Sequence, residues 1–283
     1  MSAVAQRAVS GEFEAHTADG AVLRGCSQGE GPVLLLVSGI NGTAAFWDDN
    51  AATLARSFRV LRFDQRGMGA STRGTARSTI DQLAQDCLAV LDAAGVERAV
   101  LLGHSTGGCI GLSLARQAPH RLAGLILSGS WLKQNRYMSA LFETRLAILD
   151  QHPRAYAASA TLMAYPPTWL EAHWNVYEGA VASAPATNEE RQIMRERIDA
   201  LRSFDGSAWS TSLALPVLIL GARDDMVVPA FLQDELAAGL PGARKTMLDT
   251  GGHYFPVSRP DAFTANVAEW ISEIAARSAP TGS

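Results

Sequence analysis

The sequence predicts an α/β fold, in which a mostly parallel sheet of eight strands carries helices on both faces. Short apolar runs alternate along the chain with segments whose apolar residues recur at helical spacing, and this alternation is typical of strand–helix–strand units. The run Val33–Val37 is apolar throughout, as expected for a strand that is covered on both faces. The chain has 283 residues, 47% of them hydrophobic, which is enough for one large core.

Eight segments have the pattern of strands. The first two flank a turn at Asp19-Gly20 and predict a hairpin. The run Val33–Val37 stops at Ser38-Gly39, and the last segment has a weaker strand pattern. In chain order, the segments are residues 13–16, 21–26, 33–37, 58–63, 100–102, 122–127, 217–220 and 243–248.

Two helices are predicted from apolar residues that share one face at a spacing of about 3.6 residues. Thr79 and Gln82 stand where a capping box would begin the first helix, and Gly95 stands where that helix would end. Its stripe consists of Leu83, Cys87, Val90, Leu91 and Ala94. The stripe of the second helix consists of Phe263, Val267, Trp270, Ile271 and Ile274.

Residues 131–213 interrupt the alternation of strands and helices. They show no convincing strand pattern, they are rich in aromatic residues, and Met194, Ile198 and Leu201 share a helical face. Because strands are predicted on both sides of this segment, we expect a helical cap inserted into the sheet domain. The predicted organisation is a core of residues 1–130 and 214–283 with a cap of residues 131–213.

Composition indicates which classes of protein to exclude. The net charge is −4 and no run of basic residues occurs, so neither a nucleic acid nor a membrane is expected as a partner. The first 13 residues lack a hydrophobic segment of signal-peptide length, and three cysteines without C-x-x-C spacing favour a reduced, cytoplasmic location. The small, polar ends, residues 1–10 and 278–283, are expected to be loosely held.

A serine lies between two glycines where a predicted strand meets a predicted helix. Residues 103–107, GHSTG, fit the pattern G-x-S-x-G. A tight strand-to-helix turn projects such a serine above the sheet, and the N-terminus of the following helix favours negative charge beside it. Ser105 is therefore the candidate nucleophile.

A serine nucleophile needs a general base, which is usually a histidine. Of the six histidines, His253 lies in a loop after the last predicted strand and follows Gly251-Gly252. That position brings an imidazole to the edge of the sheet where Ser105 is expected. His104 is adjacent to Ser105 in the chain, so we expect its side chain to point away from the serine hydroxyl and to be structural.

The histidine in turn needs a carboxylate that fixes its tautomer. Asp224 and Asp225 both follow the apolar run 217–220 directly. Each would give the chain order Ser, Asp, His. The residues alone leave both aspartates open as the acid.

Four motifs together carry a family resemblance: FDQRGMGAS (63–71), GHSTGG (103–108), DDMVVP (224–229) and GGHYFP (251–256). Over essentially its whole length the chain resembles the α/β-hydrolase superfamily. Within that superfamily it is similar to 3-oxoadipate enol-lactonase and to the aminoacrylate hydrolase of pyrimidine utilisation. The run AYPPTW (164–169) is also similar to the latter group.

The resemblance implies which aspartate is the acid. In such families the acid precedes a proline in the pattern D-x-x-x-P, which matches Asp225 and Pro229. Asp224 would then hold the loop through an Asx-type hydrogen bond. Counting from Gly221 favours Asp224 instead. Asp64, in FDQRG, is a structural turn residue in similar proteins.

Two N–H groups are expected to bind the oxyanion that forms during acyl transfer. One is the backbone N–H of Thr106, the residue after the nucleophile. The other comes from the loop after Val33–Val37, where the resemblance implies the backbone N–H of Ile40. The side chain of Asn41 is a further candidate donor from this loop and is also a candidate substrate contact.

The aromatic cap predicts a partly dry substrate pocket. Trp131 is the expected substrate contact, because it follows the predicted strand that ends near the site. Arg136 or Arg145 would hold a substrate carboxylate, although a solvated surface position is an equal alternative for both. No metal site and no dinucleotide fingerprint is found, so no cofactor is expected. The expected partners are a small-molecule substrate and water; monomer and dimer both remain open.

The sequence thus predicts a serine hydrolase that cleaves a small-molecule ester, lactone, amide or enamide through an acyl-enzyme. One alternative keeps the three catalytic residues but hydrolyses a carbon–carbon bond of a β-diketone-like substrate. Another is a ligand receptor on the same fold, which would bind without turnover.

Overall fold

The computed structural model describes residues 11–278; apart from residue 278, the ends that were expected to be loosely held lie outside this range. An eight-stranded sheet forms its centre, in the order β1-β2-β4-β3-β5-β6-β7-β8. The strand β2 pairs antiparallel with β1 and β4, and the other neighbouring strands are parallel. The predicted mostly parallel eight-stranded sheet is therefore confirmed. The strands are β1 Gly11–His16, β2 Val22–Gln28, β3 Val33–Val37, β4 Arg59–Phe63, β5 Ala99–His104, β6 Leu122–Ser128, β7 Val217–Ala222 and β8 Arg244–Leu248.

Eleven α-helices occur within residues 11–278, and short 3-10 turns accompany them. The helices are α1 Asp48–Leu54, α2 Ile80–Ala93, α3 Thr106–Gln117, α4 Arg136–Leu149, α5 Pro153–Ala164, α6 Pro167–Ala172, α7 Trp174–Ala182, α8 Asn188–Arg202, α9 Ala230–Ala238, α10 Phe255–Ser258 and α11 Pro260–Ser278.

The sheet separates two hydrophobic cores, and β3 contributes to both. Leu34 and Leu36 pack in a core with α1 and α11. Leu35 and Val37 pack in the other core, with α2 and α3. Successive side chains of a strand point to opposite faces, so a strand between two helical layers has to be apolar at every position. This explains the unbroken apolar run in β3.

The two helices predicted from apolar stripes occur as α2 and α11, and each buries its stripe against one of these cores. The hydroxyl of Thr79 accepts a hydrogen bond of 3.0 Å from the backbone N–H of Gln82. The side chain of Gln82 donates to Asp86 and does not return to Thr79. Only half of the predicted capping box is therefore formed.

The helices α4 to α8 lie in the chain between β6 and β7, and we call this insertion the cap. Its first and last segments meet: Lys133 and Asp205 form an antiparallel bridge, and the N–H of Gly206 donates to the carbonyl of Leu132 at 2.9 Å. The chain therefore leaves and rejoins the core at nearly the same point, which places the cap over one edge of the sheet.

Candidate active site

Ser105 occupies the turn between β5 and α3, with φ 55° and ψ −118°. It is the one residue other than glycine with a positive φ within residues 11–278. Backbone strain of this kind costs about 1–3 kcal/mol and persists where the surrounding structure enforces it. Here it lifts the serine out of the line of the strand and turns its side chain away from the core.

The glycines beside Ser105 are required by close backbone contacts. A Cβ on Gly103 would lie 2.1 Å from the carbonyl oxygen of Gly107, and a Cβ on Gly107 would lie 2.1 Å from the carbonyl oxygen of Val37. Both distances are far below any normal contact. The pattern G-x-S-x-G therefore lets the first turn of α3 pack against β3 and β5 without a side chain between them.

Ser105, His253 and Asp225 form a continuous hydrogen-bonded chain. The Nε2 atom of His253 lies 3.0 Å from Oγ of Ser105, and its Nδ1 atom lies 2.8 Å from Oδ2 of Asp225. All three side chains are buried. A carboxylate at Nδ1 favours the tautomer with its proton there, which leaves Nε2 free to accept the serine proton.

The two adjacent aspartates hold different parts of the site. The second carboxylate oxygen of Asp225 accepts hydrogen bonds of 2.8 Å from the N–H groups of Val227 and Val228. Asp224 accepts from the N–H groups of Gly251 and Gly252, at 3.1 and 2.9 Å. Asp225 therefore contacts the imidazole, whereas Asp224 fixes the loop that carries it. The hydrogen bonds of Asp224 cross to another loop and do not form the expected Asx turn.

Two residues with candidate oxyanion N–H groups line the same cavity as Ser105. Ile40, in the loop after β3, and Thr106, at the start of α3, both line this cavity. Within residues 11–278 no group accepts a hydrogen bond from either amide. Free amides beside a serine nucleophile are the arrangement that stabilises a tetrahedral oxyanion.

The cavity above Ser105 is narrow, with a volume of about 30 Å³, room for about two water molecules. Its walls come from the sheet edge on one side and from α4, α5 and α8 on the other. Besides the residues already described, it is lined by Gly39, Trp131, Met138, Phe142, Arg145, Ala160, Ala164, Leu201, Val227 and Tyr254.

Two of the four predicted substrate contacts line the cavity above Ser105, and the other two do not. Trp131 lines the cavity, and its buried indole N–H has no partner among the described residues. Arg145 also lines the cavity, and its guanidinium lies 4.9 Å from the ring centre of Tyr156. Asn41 and Arg136 are exposed and are not part of the cavity wall, so the geometry gives their predicted substrate roles no support.

His104 packs beside the triad without contacting Ser105 Oγ. Its Nδ1 lies 3.0 Å from Oγ of Ser128, and its ring stacks on Phe46 with centroids 5.0 Å apart. Burial, together with the neighbouring His253, keeps the pKa of His104 well below its ordinary value. His104 is therefore a neutral packing residue here, as expected from the sequence.

Sequence reasoning missed Arg197. This residue of α8 is fully buried, and it donates hydrogen bonds to the loop that carries Ile40. The spacing of residues along the helix is a signal that could have identified Arg197. Arg197 lies four residues after Ile193 and four before Leu201, which are both buried, so it occupies the apolar face of an otherwise charged helix.

Neither a candidate metal centre nor a membrane-spanning helix occurs within residues 11–278. Within residues 11–278, no group of three or more His, Cys, Asp and Glu side chains is arranged to hold a metal ion. No helix in the same part of the chain is long and apolar enough to cross a membrane.

Comparisons with known proteins identify the family of the chain. A sequence model of the α/β hydrolase fold matches residues 32–260. The chain is 36% identical over 247 residues to RutD of Azorhizobium caulinodans, whose name describes a proposed carbamate hydrolase; the match covers 87% of this chain and 93% of that protein. The protein of the same name from Variovorax paradoxus is 36% identical over 254 residues, covering 89% and 96%.

Solved structures show the same architecture. A hydrolase from Pseudomonas aeruginosa superposes with a TM-score of 0.81 at 33% identity, covering 95% of this chain and 99% of that one. An enol-lactonase from Burkholderia xenovorans superposes with a TM-score of 0.80 at 25% identity, covering 89% and 97%. Both the curated relatives and these structures span nearly the whole chain.

Proposed function

Because this chain belongs to the α/β-hydrolase fold family and is a hydrolase, we propose that it cleaves acyl bonds of small molecules through Ser105. The observation that carries the proposal is the hydrogen-bonded chain from Ser105 through His253 to Asp225, with distances of 3.0 and 2.8 Å. A serine hydroxyl is a weak nucleophile until a neighbouring base removes its proton. The geometry supplies that base within hydrogen-bond reach.

In the first half-reaction, Ser105 Oγ attacks the acyl carbon while His253 Nε2 takes the hydroxyl proton. The carbonyl oxygen becomes negatively charged and accepts hydrogen bonds from the N–H groups of Ile40 and Thr106. His253 then returns its proton to the leaving nitrogen or oxygen, and the carbon–heteroatom bond breaks. The acyl group remains bound to Ser105 as an ester.

In the second half-reaction, water takes the place of the leaving group. His253 removes a proton from that water as it attacks the acyl-enzyme, and the same two amides stabilise the second tetrahedral oxyanion. Collapse of this intermediate breaks the bond to Ser105 Oγ, which recovers the proton from His253. Asp225 stays ionised throughout and stabilises the imidazolium.

We propose a small substrate with an acyl carbon bonded to nitrogen or oxygen: an amide, enamide, carbamate, ester or lactone. The narrow cavity supports a small molecule. The names of the relatives, carbamate hydrolase and enol-lactonase, describe bonds of these two types. The free indole N–H of Trp131 and the guanidinium of Arg145 are two polar groups of the cavity wall that such a substrate could use.

Labelling with a fluorophosphonate reagent and intact-mass detection tests the proposal. The reagent reports an activated serine because its phosphorus takes the geometry of the tetrahedral intermediate. We expect stoichiometric modification of the wild type and none of Ser105→Ala. His253→Ala, which keeps the serine but removes its base, is expected to label at least about 100-fold more slowly.

A panel of small amides, carbamates, esters, lactones and β-diketones identifies the bond. We expect turnover of at least one carbon–nitrogen or carbon–oxygen substrate, abolished in Ser105→Ala. A folded wild type that takes up no reagent contradicts the activated serine. Turnover of the diketones alone would favour carbon–carbon hydrolysis instead.

A further inference from the structure

We propose that Arg197, a residue of the cap, positions the backbone amide of Ile40 as an oxyanion donor. The cap then completes the catalytic machinery as well as covering the substrate. The inference rests on the proposed serine chemistry, because it assigns a supporting residue to the oxyanion hole of that reaction. Arg197 is a positioning residue here, since it acts through the loop and does not contact the reacting atoms.

The hydrogen bonds of Arg197 all go to the loop after β3 and to Gln65, which supports that loop. Its Nε donates to the carbonyl of Ile40 at 2.6 Å. Its Nη2 donates to the carbonyl of Gly39 at 3.3 Å and to Oε1 of Gln65 at 2.6 Å. One guanidinium thus holds two successive carbonyl groups, a contact that suits its planar fork of donors.

One of these carbonyls belongs to the same peptide unit as the proposed oxyanion donor. The C=O of Gly39 and the N–H of Ile40 lie in one plane and point in opposite directions. A donor on the oxygen therefore fixes where the N–H points. It also polarises the peptide, so that the N–H becomes a stronger donor toward negative charge.

Gln65 holds the rest of the loop. Its Nε2 donates to the carbonyl of Ser38 at 2.8 Å, and its backbone N–H donates to the carbonyl of Gly42 at 2.7 Å. The N–H of Gly42 also closes a turn onto the carbonyl of Gly39 at 3.0 Å. With these bonds in place, the peptide between Gly39 and Ile40 has no freedom to rotate without breaking several hydrogen bonds.

Stability alone does not explain a buried arginine at this position. Arg66 is equally buried, but it pairs with Asp19 and Asp86. No carboxylate within residues 11–278 lies within ion-pair distance of Arg197, and its Nη1 has no partner there. A buried charge without a counter-ion is costly. Burial lowers the pKa of Arg197 to about 10, so the side chain remains a cation at neutral pH.

Within the described residues Arg197 has no direct ion pair, although the charge of Asp86 acts on it from a longer distance. A cation behind the Ile40 amide becomes more favourable when the oxyanion forms. The negative charge of the tetrahedral intermediate appears on the other side of the polarised peptide, in a buried site where solvent screens charges only weakly. The interaction is therefore stronger in the transition state than with the neutral substrate. Loss of Arg197 should lower kcat and leave KM nearly unchanged.

The test compares two Arg197 variants with a neighbouring control. Arg197→Lys keeps the charge but loses the two-carbonyl contact, and Arg197→Ala removes both. Glu196→Gln is the control, because Glu196 on the same helix forms a partly buried ion pair from cap to core, with Arg73 at 2.6 Å. It weakens cap attachment without touching the oxyanion loop.

The measurements are the rate of Ser105 labelling by the fluorophosphonate, kcat and KM for p-nitrophenyl acetate, and the melting temperature. We expect Arg197→Lys and Arg197→Ala to lower the labelling rate and kcat by about 10- to 100-fold, with KM changed less than about threefold. Millimolar guanidinium should restore part of the rate in Arg197→Ala and raise neither the wild type nor Glu196→Gln. Glu196→Gln should lower the melting temperature but keep kcat within about twofold.

The outcomes separate this inference from the proposed function. If wild-type Ser105 labels but Arg197→Lys retains kcat within about twofold, the positioning role is wrong and the serine mechanism stands. If Arg197→Ala does not fold, Arg197→Lys alone decides. If Glu196→Gln loses as much kcat as Arg197→Lys, the effect is one of cap docking and the inference is again overturned. Absence of labelling in the wild type defeats the serine mechanism itself.

Discussion

Single residues decide the chemistry at the end of β7. Asp224 and Asp225 are neighbours in the chain, yet one carboxylate holds the amides of Gly251 and Gly252 and the other holds the ring of His253. Asp225 is additionally anchored by two backbone N–H groups. One aspartate therefore places the histidine loop, and the next one orients the imidazole within it.

Replacing these two carboxylates should have unequal effects. Asp225→Asn presents an amide N–H or a neutral oxygen to Nδ1, so the imidazole loses its preferred tautomer and the support of its positive charge. We expect kcat to fall by about 10⁴-fold, the size seen when the triad acid of a serine protease is changed in this way. Steady-state kinetics on a substrate from the panel measures the loss.

Asp224→Asn is the matched variant. Its side-chain oxygen can still accept from one glycine amide, so the loop is loosened but the triad remains intact. We expect less than about a tenfold loss of kcat and a lower melting temperature, from the loss of one hydrogen bond of roughly 1–3 kcal/mol. The reverse ranking of the two variants would assign the acid to Asp224.

At this scale the residues alone predicted Ser105 and His253, and only the family resemblance favoured Asp225 over Asp224; other choices stayed open. Arg136 and Arg145 are nine residues apart, which is two and a half turns of a helix with about 3.6 residues per turn. They therefore lie on opposite faces of α4, and only packing against the core determines which face meets the cavity. The sequence pattern did not identify Arg197, because its proposed role depends on contacts with Gly39, Ile40 and Gln65, which are distant in sequence.

Among the structural elements, the contact of α3 with β3 imposes the tightest constraint. The start of α3 approaches the end of β3 so closely that no side chain fits at Gly107. Gly107→Ala would force α3 away from the sheet, and the amide of Thr106 would move with it. We expect a loss of several kcal/mol of stability from this overpacking, together with loss of fluorophosphonate labelling.

A second helical glycine provides the comparison. A Cβ added to Gly179 in α7 would meet no other atom within 4 Å, and this glycine has no positive φ. Gly179→Ala should be neutral or stabilising by up to about 1 kcal/mol, with normal labelling. Chemical denaturation of both variants measures the difference. Equal stabilities would show that α3 can move off β3 without penalty.

The elements were predicted well where local pattern and tertiary environment agree. The continuous apolar run of β3 and the stripes of α2 and α11 are examples. The predicted strand 100–102 instead extends to His104 in the structure, because Gly103 and His104 pair with the adjacent strands β3 and β6. Neither residue has a strand pattern of its own. Hydrogen bonding to the neighbouring strands determined the end of β5, and the local sequence pattern does not predict it.

For the molecule as a whole, buried and partly buried ion pairs join segments that are far apart in sequence. Arg66, after β4, pairs with Asp19 in the first hairpin and with Asp86 in α2. Arg73 pairs with Glu196 and joins the core to the cap. The hydrogen bond from Arg66 holds the pKa of Asp19 well below its ordinary value. Burial alone would raise the pKa of Glu196, but the hydrogen bonds from Arg73 lower it.

These shifts predict how stability depends on pH. A carboxyl group whose pKa is lower in the folded than in the unfolded chain stabilises the fold above its ordinary pKa, and this contribution is lost as the pH falls. The ordinary value for Asp19 is 3.8. We therefore expect the free energy of unfolding to decrease as the pH drops below about 5.

Urea denaturation between neutral and acidic pH measures this dependence. Asp19→Asn should be less stable than the wild type at neutral pH, because Arg66 loses one of its two partners. The stability difference between the two proteins should shrink toward low pH. A difference that stays constant with pH would mean that Asp19 does not contribute through its charge.

The buried contact between α8 and the loop after β3 limits how far the two parts of the molecule can be interchanged. Transplanting a cap from another enzyme of this architecture is an attractive way to change which molecules are accepted, since Ser105, His253 and Asp225 would all stay in place. Such a chimera would nevertheless lose the guanidinium behind Ile40 unless the grafted cap carries an arginine at the same place. We expect hybrids to regain full turnover only when the grafted segment again supplies an arginine at the site of Arg197.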